Sequence, residues 1–81
     1  NMAEVTRRPV IIHKNCFIGS NVVLHNCEIG EGSIIACGSV VRSRDVPANC
    51  LVEGNPARII KMKIDGKWMP RNIELKLKEK T

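Results

Sequence analysis

Aliphatic residues recur along the first half of the chain at a spacing of six, with one interval of five. The repeat is marked by Ile12, Ile18, Leu24, Ile29 and Ile35. This period is neither the 3.6 residues of a helix nor the two residues of an ordinary strand. A six-residue repeat is typical of a parallel β-helix, in which each unit forms one flat face of a triangular coil. Three faces close a coil, so we expect residues about 18 positions apart to stack in the interior.

The repeat also predicts which side chains stack and which residues turn the chain. The stacked aliphatic side chains are Ile18, Ile35 and Val52 on one face, Leu24 with Val41 on another, and Ile12 with Ile29 after the short unit. Sharp corners between faces need positive φ, which is cheap for glycine and next for asparagine. The residues assigned to corners are Gly19, Gly30, Gly32, Gly38, Asn15, Asn21 and Asn26.

The six-residue repeat is interrupted by a polar loop, residues 42–45. Further along, Asp65-Gly66 lies between two strand-like segments and is a strong hairpin signal. Residues 73–78 alternate apolar and charged side chains, which favours a strand over the short helix that Asn72 could cap. We therefore expect an all-β protein in three parts: a lead-in (residues 1–9), hexapeptide β-helix coils (residues 10–56) and a C-terminal extension (residues 57–81).

Composition indicates how such a chain can be stable. Aromatic residues make up 2% of the 81 residues, so the core must be aliphatic. A repeat fold exposes an apolar cross-section at each end, and a chain this short buries a limited fraction of its surface. We therefore expect either the C-terminal piece of a longer chain or a protein that is stable only as an oligomer.

The four cysteines are Cys16, Cys27, Cys37 and Cys50, and they form no CxxC pair. This spacing argues against a structural zinc site. Three of them occupy the small-residue position of the repeat, where they are expected to face inward as small hydrophobes. Disulfides are not expected, which favours a reducing cytoplasm. No apolar run reaches the roughly 18 residues of a membrane span.

The net charge of +5 arises in the last part of the chain. From Ala57 onward there are eight basic and three acidic residues, whereas the earlier residues carry five of each. A basic segment suits a phosphate-bearing partner, and a solubilising end without a target explains it equally well. Nucleic acid is a poor candidate because the segment lacks interleaved aromatic side chains for stacking.

Four segments of the chain carry a family resemblance. They are Ile18-Gly19-Ser20, residues 29–41, Asp45-Val46-Pro47 and the GNPAR sequence at residues 54–58. Together they resemble the hexapeptide-repeat acyltransferases, most of all the C-terminal part of sugar O-acetyltransferases, with serine O-acetyltransferases next. The resemblance implies a left-handed β-helix, a homotrimer, and coenzyme A bound in the cleft between neighbouring subunits.

The resemblance also implies which residues contact the coenzyme. Ser20 corresponds to the residue near the thioester end of the pantetheine arm. Ala36 and Cys37 replace a Gly-Ala pair whose backbone bonds the pantetheine amides. The cations expected near the phosphates and the nucleotide end are Arg42, Arg44, Arg58 and Lys61. Arginine suits phosphate because its planar guanidinium can donate two hydrogen bonds at once.

The catalytic residue is unknown from the sequence. Acetyl transfer to a hydroxyl needs a general base, usually histidine. In the resembled family this base belongs to a His-Pro pair. In the serine O-acetyltransferases that pair would fall at the position that Arg8-Pro9 occupies in this sequence. A guanidinium cannot act as a base at pH 7. We therefore expect the catalytic histidine to lie outside this chain, and we interpret His13 as an exposed turn residue.

These features predict a coenzyme A-dependent acetyltransferase that acts on a sugar or saccharide hydroxyl. The acceptor is not readable from the sequence, and N-acetylation stays open. A trimerising β-helix scaffold without catalysis is the main alternative. A third is a zinc protein like the γ-class carbonic anhydrases, because residues 23–27 (VLHNC) resemble a segment in which the histidine, here His25, is one of three zinc ligands. Ser20 and Gly30 or Glu31 occupy the other two positions, so this alternative lacks a ligand set.

Overall fold

The computed structural model describes residues 8–71, and they form strands, turns and loops. The strands are β1 (Ile11–Ile12), β2 (Phe17–Ile18), β3 (Val23–His25), β4 (Glu28–Ile29), β5 (Ile34–Ile35), β6 (Val40–Arg42), β7 (Cys50–Gly54), β8 (Ala57–Ile64) and β9 (Lys67–Pro70). Within this part of the chain, no helix is long and apolar enough to cross a membrane.

The first six strands wind into two coils of a left-handed parallel β-helix. β4 lies parallel to β1, β5 to β2, and β6 to β3. The paired residues are 17 positions apart, because each coil contains one five-residue unit. β7 continues below β5 and starts a third coil. The predicted fold class is therefore confirmed.

The predicted interior columns are confirmed residue by residue. Ile35 pairs with Ile18 on one side and with Val52 on the other. The other pairs are Leu24 with Val41 and Ile12 with Ile29. Ile29, Ile35 and Val52 are among the largest fully buried side chains. Burial of each such side chain contributes roughly 1.5–3 kcal/mol, so the columns supply much of the stability.

Positive φ occurs at all three asparagines and at two of the four glycines that were assigned to corners. Asn15, Asn21 and Asn26 have φ of 62°, 57° and 53°, and Gly32 and Gly38 have 76° and 74°. Gly19 and Gly30 do not have positive φ, so that part of the prediction is wrong. Their requirement is space, because a Cβ atom would lie 2.6 Å from the Cys37 nitrogen at Gly19 and 2.4 Å from the Ala48 nitrogen at Gly30.

The small-residue position of the repeat faces inward. Cys27 and Cys50 are buried, Cys16 is half-buried, and Cys37 is exposed at a corner. Burial raises the pKa of the Cys27 and Cys50 thiols, because a thiolate is poorly solvated there. The four cysteines are present as free thiols.

Two serines at the same inward position tie the second coil to the third. The Ser33 hydroxyl donates to the Pro47 carbonyl at 2.7 Å and accepts from the Cys50 amide at 3.1 Å. The Ser39 hydroxyl accepts from the Gly54 amide at 3.3 Å. Both serines are fully buried. These bonds hold the third coil where the polar loop breaks the regular repeat.

The third coil is incomplete, and this opens a space below β6. Val46 bridges to Ile29, and β7 lies below β5. The chain then reverses, and β8 runs antiparallel to β7 where a third parallel face would otherwise follow. β8 and β9 form the predicted hairpin around Asp65-Gly66. The lead-in residues 1–7, Asn72 and the predicted strand at 73–78 lie outside the described residues.

Candidate functional site

A cavity of about 500 Å³ lies below β6, in the space that a complete third coil would fill. Its lining residues are Val40, Val41, Arg42, Arg44, Asp45, Val46, Val52, Asn55, Pro56, Ala57, Arg58, Ile59 and Arg71. We call it the arginine cavity. Its floor is aliphatic because Val41, Val46 and Val52 belong to the coil interior. Its volume lies within the usual range for small-molecule sites, roughly 300–1,000 Å³.

Four arginine residues from two parts of the fold line the arginine cavity. Arg42 ends β6 and Arg44 lies in the loop that follows it. Arg58 belongs to β8, and Arg71 directly follows β9, so both are carried by the hairpin. Among the ion pairs of the described residues, none involves these four side chains. The cavity therefore has a strongly positive rim above an apolar floor, which suits a ligand with both anionic and apolar parts.

Asp45 is the one acidic residue of the lining, and Arg8 neutralises it. The Arg8 guanidinium donates to both carboxylate oxygens, with Nη2–Oδ1 at 3.0 Å and Nη1–Oδ2 at 3.3 Å. It also donates to the carbonyl and the side-chain oxygen of Asn26. The hydrogen bonds from Arg8, and next the backbone N–H of Glu28, lower the pKa of Asp45. Arg8, which stands at the serine-enzyme base position, is therefore a clamp on the polar loop.

Acid is expected to release this clamp. Because the pKa of Asp45 is lowered in the folded state, the stabilisation is present above its unfolded value of about 4 and disappears as the pH falls through the folded value. The melting temperature of Asp45→Asn should lie below that of the parent protein at pH 7, and the difference should close toward pH 2. Thermal unfolding of both proteins from pH 7 to pH 2 tests this. A constant difference across that range would contradict it.

A stacked corner leads from the first coil to the rim of the arginine cavity. Ser20, Cys37 and Gly54 occupy equivalent positions in the three successive coils, and we call them the Ser20 corner. The Gly38 amide donates to the Ser20 carbonyl at 2.9 Å, and the Ala36 amide donates to the Val52 carbonyl at 3.0 Å. Asn55, which follows Gly54, already lines the cavity. Adjacent coils are about 4.8 Å apart, so this path is roughly 10 Å long.

The seven predicted coenzyme contacts fall into three groups. Arg42, Arg44 and Arg58 come together in the arginine cavity. Ser20, Ala36 and Cys37 lie at the corner above it, and their assigned contacts stay predictions. Lys61 lies in β8 but does not line the cavity. Arg71, which does line it, was missed because it follows the hairpin, beyond the repeat and beyond the resembled segment.

The two histidines lie outside the arginine cavity. The His13 Nε2 atom is 2.6 Å from the Glu28 Oε2 atom, and both side chains are about half exposed. His25 is exposed and pairs in register with Arg42 across β3 and β6. Among residues 8–71, no group of three His, Cys, Asp or Glu side chains is placed to hold a metal ion. An exposed His13 agrees with its interpretation as a turn residue.

Comparison with known families identifies the repeat. The bacterial transferase hexapeptide family (six repeats) matches residues 9–43. The chain belongs to the hexapeptide-repeat transferases. The matched residues include β1 to β6, the two complete coils, so the family match and the observed pairing describe the same structure.

Relatives and solved structures agree with this membership. This hexapeptide-repeat chain is 42% identical over 77 residues to a 2,3,4,5-tetrahydropyridine-2,6-dicarboxylate N-acetyltransferase of Clostridium perfringens, covering 94% of the chain and 28% of the relative. A hexapeptide-repeat acetyltransferase of Vibrio cholerae complexed with acetyl coenzyme A has 42% identity and a TM-score of 0.67, over 72% of this chain and 32% of that one. A galactoside acetyltransferase in complex with coenzyme A has 38% identity and a TM-score of 0.64, over 70% of this chain and 28% of that one. The chain thus spans about a third or less of these proteins.

Proposed function

We propose that this chain forms the coenzyme A-binding part of an acetyltransferase that uses acetyl-coenzyme A. The observation that carries the proposal is the arginine cavity at the foot of the Ser20 corner. Two of the similar structures hold acetyl-coenzyme A or coenzyme A, which supports the same ligand here. The scaffold alternative gives no reason for four arginine residues to line one cavity.

The shape of coenzyme A fits the two parts of this site. Its pantetheine arm is thin and carries amides, so it needs small residues and free backbone groups along its path. The Ser20 corner offers Ser20, Ala36 and Cys37 there. Its nucleotide end carries pyrophosphate and a ribose phosphate, which need fixed cations. The arginine cavity supplies those cations next to an apolar floor on which a purine ring can lie.

The acceptor is proposed to be a sugar or saccharide hydroxyl. A maltose O-acetyltransferase of Clostridium difficile and the galactoside acetyltransferase are similar in structure, which supports this choice. The 42% identity to an N-acetyltransferase favours an amine acceptor as the second candidate. We propose that the general base lies outside residues 8–71, because a guanidinium such as that of Arg8 cannot accept a proton at pH 7 and neither His13 nor His25 lines the arginine cavity.

We further propose that the working form is a homotrimer in the cytoplasm. Outward-facing apolar side chains flank the Ser20 corner: Phe17, Ile34 and Leu51 pair along one face, and Val23 pairs with Val40 on the next. Phe17 is 65% exposed, which favours its burial against a neighbouring subunit. Four free cysteines suit a reducing compartment.

Calorimetric titration of coenzyme A, with the oligomeric mass recorded alongside, tests the proposed function. Arg58→Ala should weaken binding by about tenfold, because it removes charge-assisted hydrogen bonds to phosphate. Lys67→Ala is the matched control, since it removes an equal charge from an exposed position in β9 that does not line the cavity. A well-formed trimer that binds no coenzyme A would refute the proposal and favour the scaffold.

A further inference from the structure

Arg8 links the start of the first coil to its end and to the polar loop that follows the second coil. Its Nη1 and Nη2 atoms donate to the Asp45 carboxylate of that loop, at 3.3 and 3.0 Å. Asn26, which follows β3, accepts from Arg8 Nη2 through its carbonyl at 2.8 Å. The side-chain oxygen of Asn26 accepts from Arg8 Nε at 3.1 Å and from the Arg8 backbone amide at 2.9 Å. Every nitrogen of this guanidinium therefore takes part in holding the loop to the coil.

Arg44 lies in the polar loop between two residues that are both anchored to the coils. On one side, the Ser43 amide donates to a β3 carbonyl at 2.9 Å, and the Ser43 hydroxyl accepts from Asn26 Nδ2 at 3.3 Å. On the other side, Asp45 accepts from a backbone amide of β4 at 3.0 Å as well as from Arg8. Ser43 has φ of 52°, a conformation that persists only where surrounding contacts fix it. The place of Arg44 at the arginine cavity therefore depends on both anchors.

Arg8 acts on the arginine cavity from outside, because it is not among the residues that line it. The side chains of Arg8 and Asp45 are about half exposed, and an ion pair between exposed groups adds little to stability. A planar guanidinium that donates two hydrogen bonds to one carboxylate nevertheless fixes the distance and the orientation of that carboxylate. The contact is therefore better suited to fixing the position of the loop than to stabilising the fold.

We propose that Arg8 is a positioning residue for the coenzyme site: through Asp45 it holds Arg44 in the place from which Arg44 binds the ligand. This rests on the proposed function. A side chain that is held in place before the ligand arrives loses less freedom on binding, which raises the affinity. Loss of Arg8 then weakens coenzyme binding although Arg8 itself touches no ligand.

A double-mutant cycle between Arg8 and Arg44 tests this, with the affinity for coenzyme A measured by calorimetry at pH 7. Arg8→Ala should weaken binding by about fivefold, a size found for residues that act without touching a ligand. In a protein that already carries Arg44→Ala, the same change should weaken binding by less than about twofold, because Arg8 acts through Arg44. Arg8→Lys should restore part of the affinity, since lysine keeps the charge but loses the bidentate geometry.

Lys14→Ala is the matched control for the loss of charge. Lys14 also belongs to an exposed ion pair that joins two coils, with its Nζ atom 4.0 Å from the Glu31 Oε2 atom. Neither residue belongs to the polar loop or lines the arginine cavity. Because charges on the exposed surface are screened by salt, Lys14→Ala should leave the affinity within about twofold of the parent protein.

The outcomes separate the positioning role from the proposed function. No weakening by Arg8→Ala, equal weakening with and without Arg44, or equal weakening by Lys14→Ala would overturn the positioning role while coenzyme binding stands. A well-formed parent trimer that binds no coenzyme A would overturn the coenzyme assignment itself, and the positioning role with it. Thermal unfolding shows whether each variant keeps the fold, and if Arg8→Ala does not, the same cycle is measured with Arg8→Lys.

Discussion

Replacing Gly30 by alanine is expected to destabilise the protein by about 3 kcal/mol or more. A Cβ atom at this position would lie 2.4 Å from the Ala48 nitrogen, 2.7 Å from the Ala48 Cα and 2.7 Å from the Pro47 carbonyl carbon. All three are backbone atoms, so no side chain can rotate to make room. The second and third coils would have to move apart, which would lengthen the hydrogen bond from the Gly30 amide to the Val46 carbonyl, now 2.8 Å.

Gly38→Ala is the control for this prediction. Gly38 has φ of 74°, and an added Cβ atom would meet nothing within 4 Å. The substitution therefore introduces only the strain of a left-handed conformation, about 1–2 kcal/mol. Urea unfolding followed by circular dichroism measures both free energies. If Gly38→Ala proved as damaging as Gly30→Ala, close stacking of the coils would not be the reason for glycine at position 30.

This pair of glycines shows how far the sequence predicts the fold. The spacing of six places Gly30 and Gly38 at corners, and both do lie at corners. The spacing does not tell which corner residue needs positive φ and which needs space. The space beside a corner residue depends on which residue of the next coil lies against it. Here residues of adjacent coils pair at a separation of 17 rather than 18, because each coil contains one five-residue unit. The interior columns were predictable because every coil has the same length, so each aliphatic residue lies above the aliphatic residue of the next coil.

The candidate site was predictable only as far as the repeat and the GNPAR segment extend. Arg42, Arg44 and Arg58 lie in or beside those segments and line one cavity, and their contact with coenzyme A stays a prediction. Arg71 reaches the cavity through the reversal of β8 and the hairpin turn. That path is a tertiary feature with no period of its own. Lys61, in contrast, belongs to the resembled segment but does not line the cavity.

The Arg8 clamp illustrates a related limit. Its sequence position indicates only that a guanidinium replaces the base of the serine enzymes. The structure gives Arg8 a role of its own. Arg8 neutralises Asp45, the one acidic residue that lines the arginine cavity, and it donates a hydrogen bond to the carbonyl of the corner residue Asn26. The loop that interrupts the repeat is thereby held in place, and its arginines are kept at the cavity. The position of the catalytic base in the serine enzymes is thus held here by an arginine, and the contacts of that arginine support the loop beside the predicted coenzyme contacts.

Replacing Ile35 by alanine is the other change with a large expected effect, about 2–5 kcal/mol. Ile35 is fully buried, and it pairs with Ile18 in the first coil and with Val52 in the third. In a stacked repeat each coil is stabilised by its neighbours, so a cavity in the middle coil weakens both interfaces at once. Two complete coils leave little other core to compensate for the loss.

Ile12→Ala is the matched control, since it removes the same atoms at the same position of the repeat. Ile12 is 47% exposed and pairs only with Ile29, so its loss should cost about 1 kcal/mol or less. Ile35→Val should fall between the two, at roughly 0.5–1.5 kcal/mol. Equal free-energy losses for Ile12→Ala and Ile35→Ala in urea unfolding would mean that the end coil is as well covered as the middle one. Since Ile12 is half exposed within residues 8–71, such a result would require a further surface packed against the first coil, and the oligomeric mass measured with coenzyme A binding would show whether a second copy provides it.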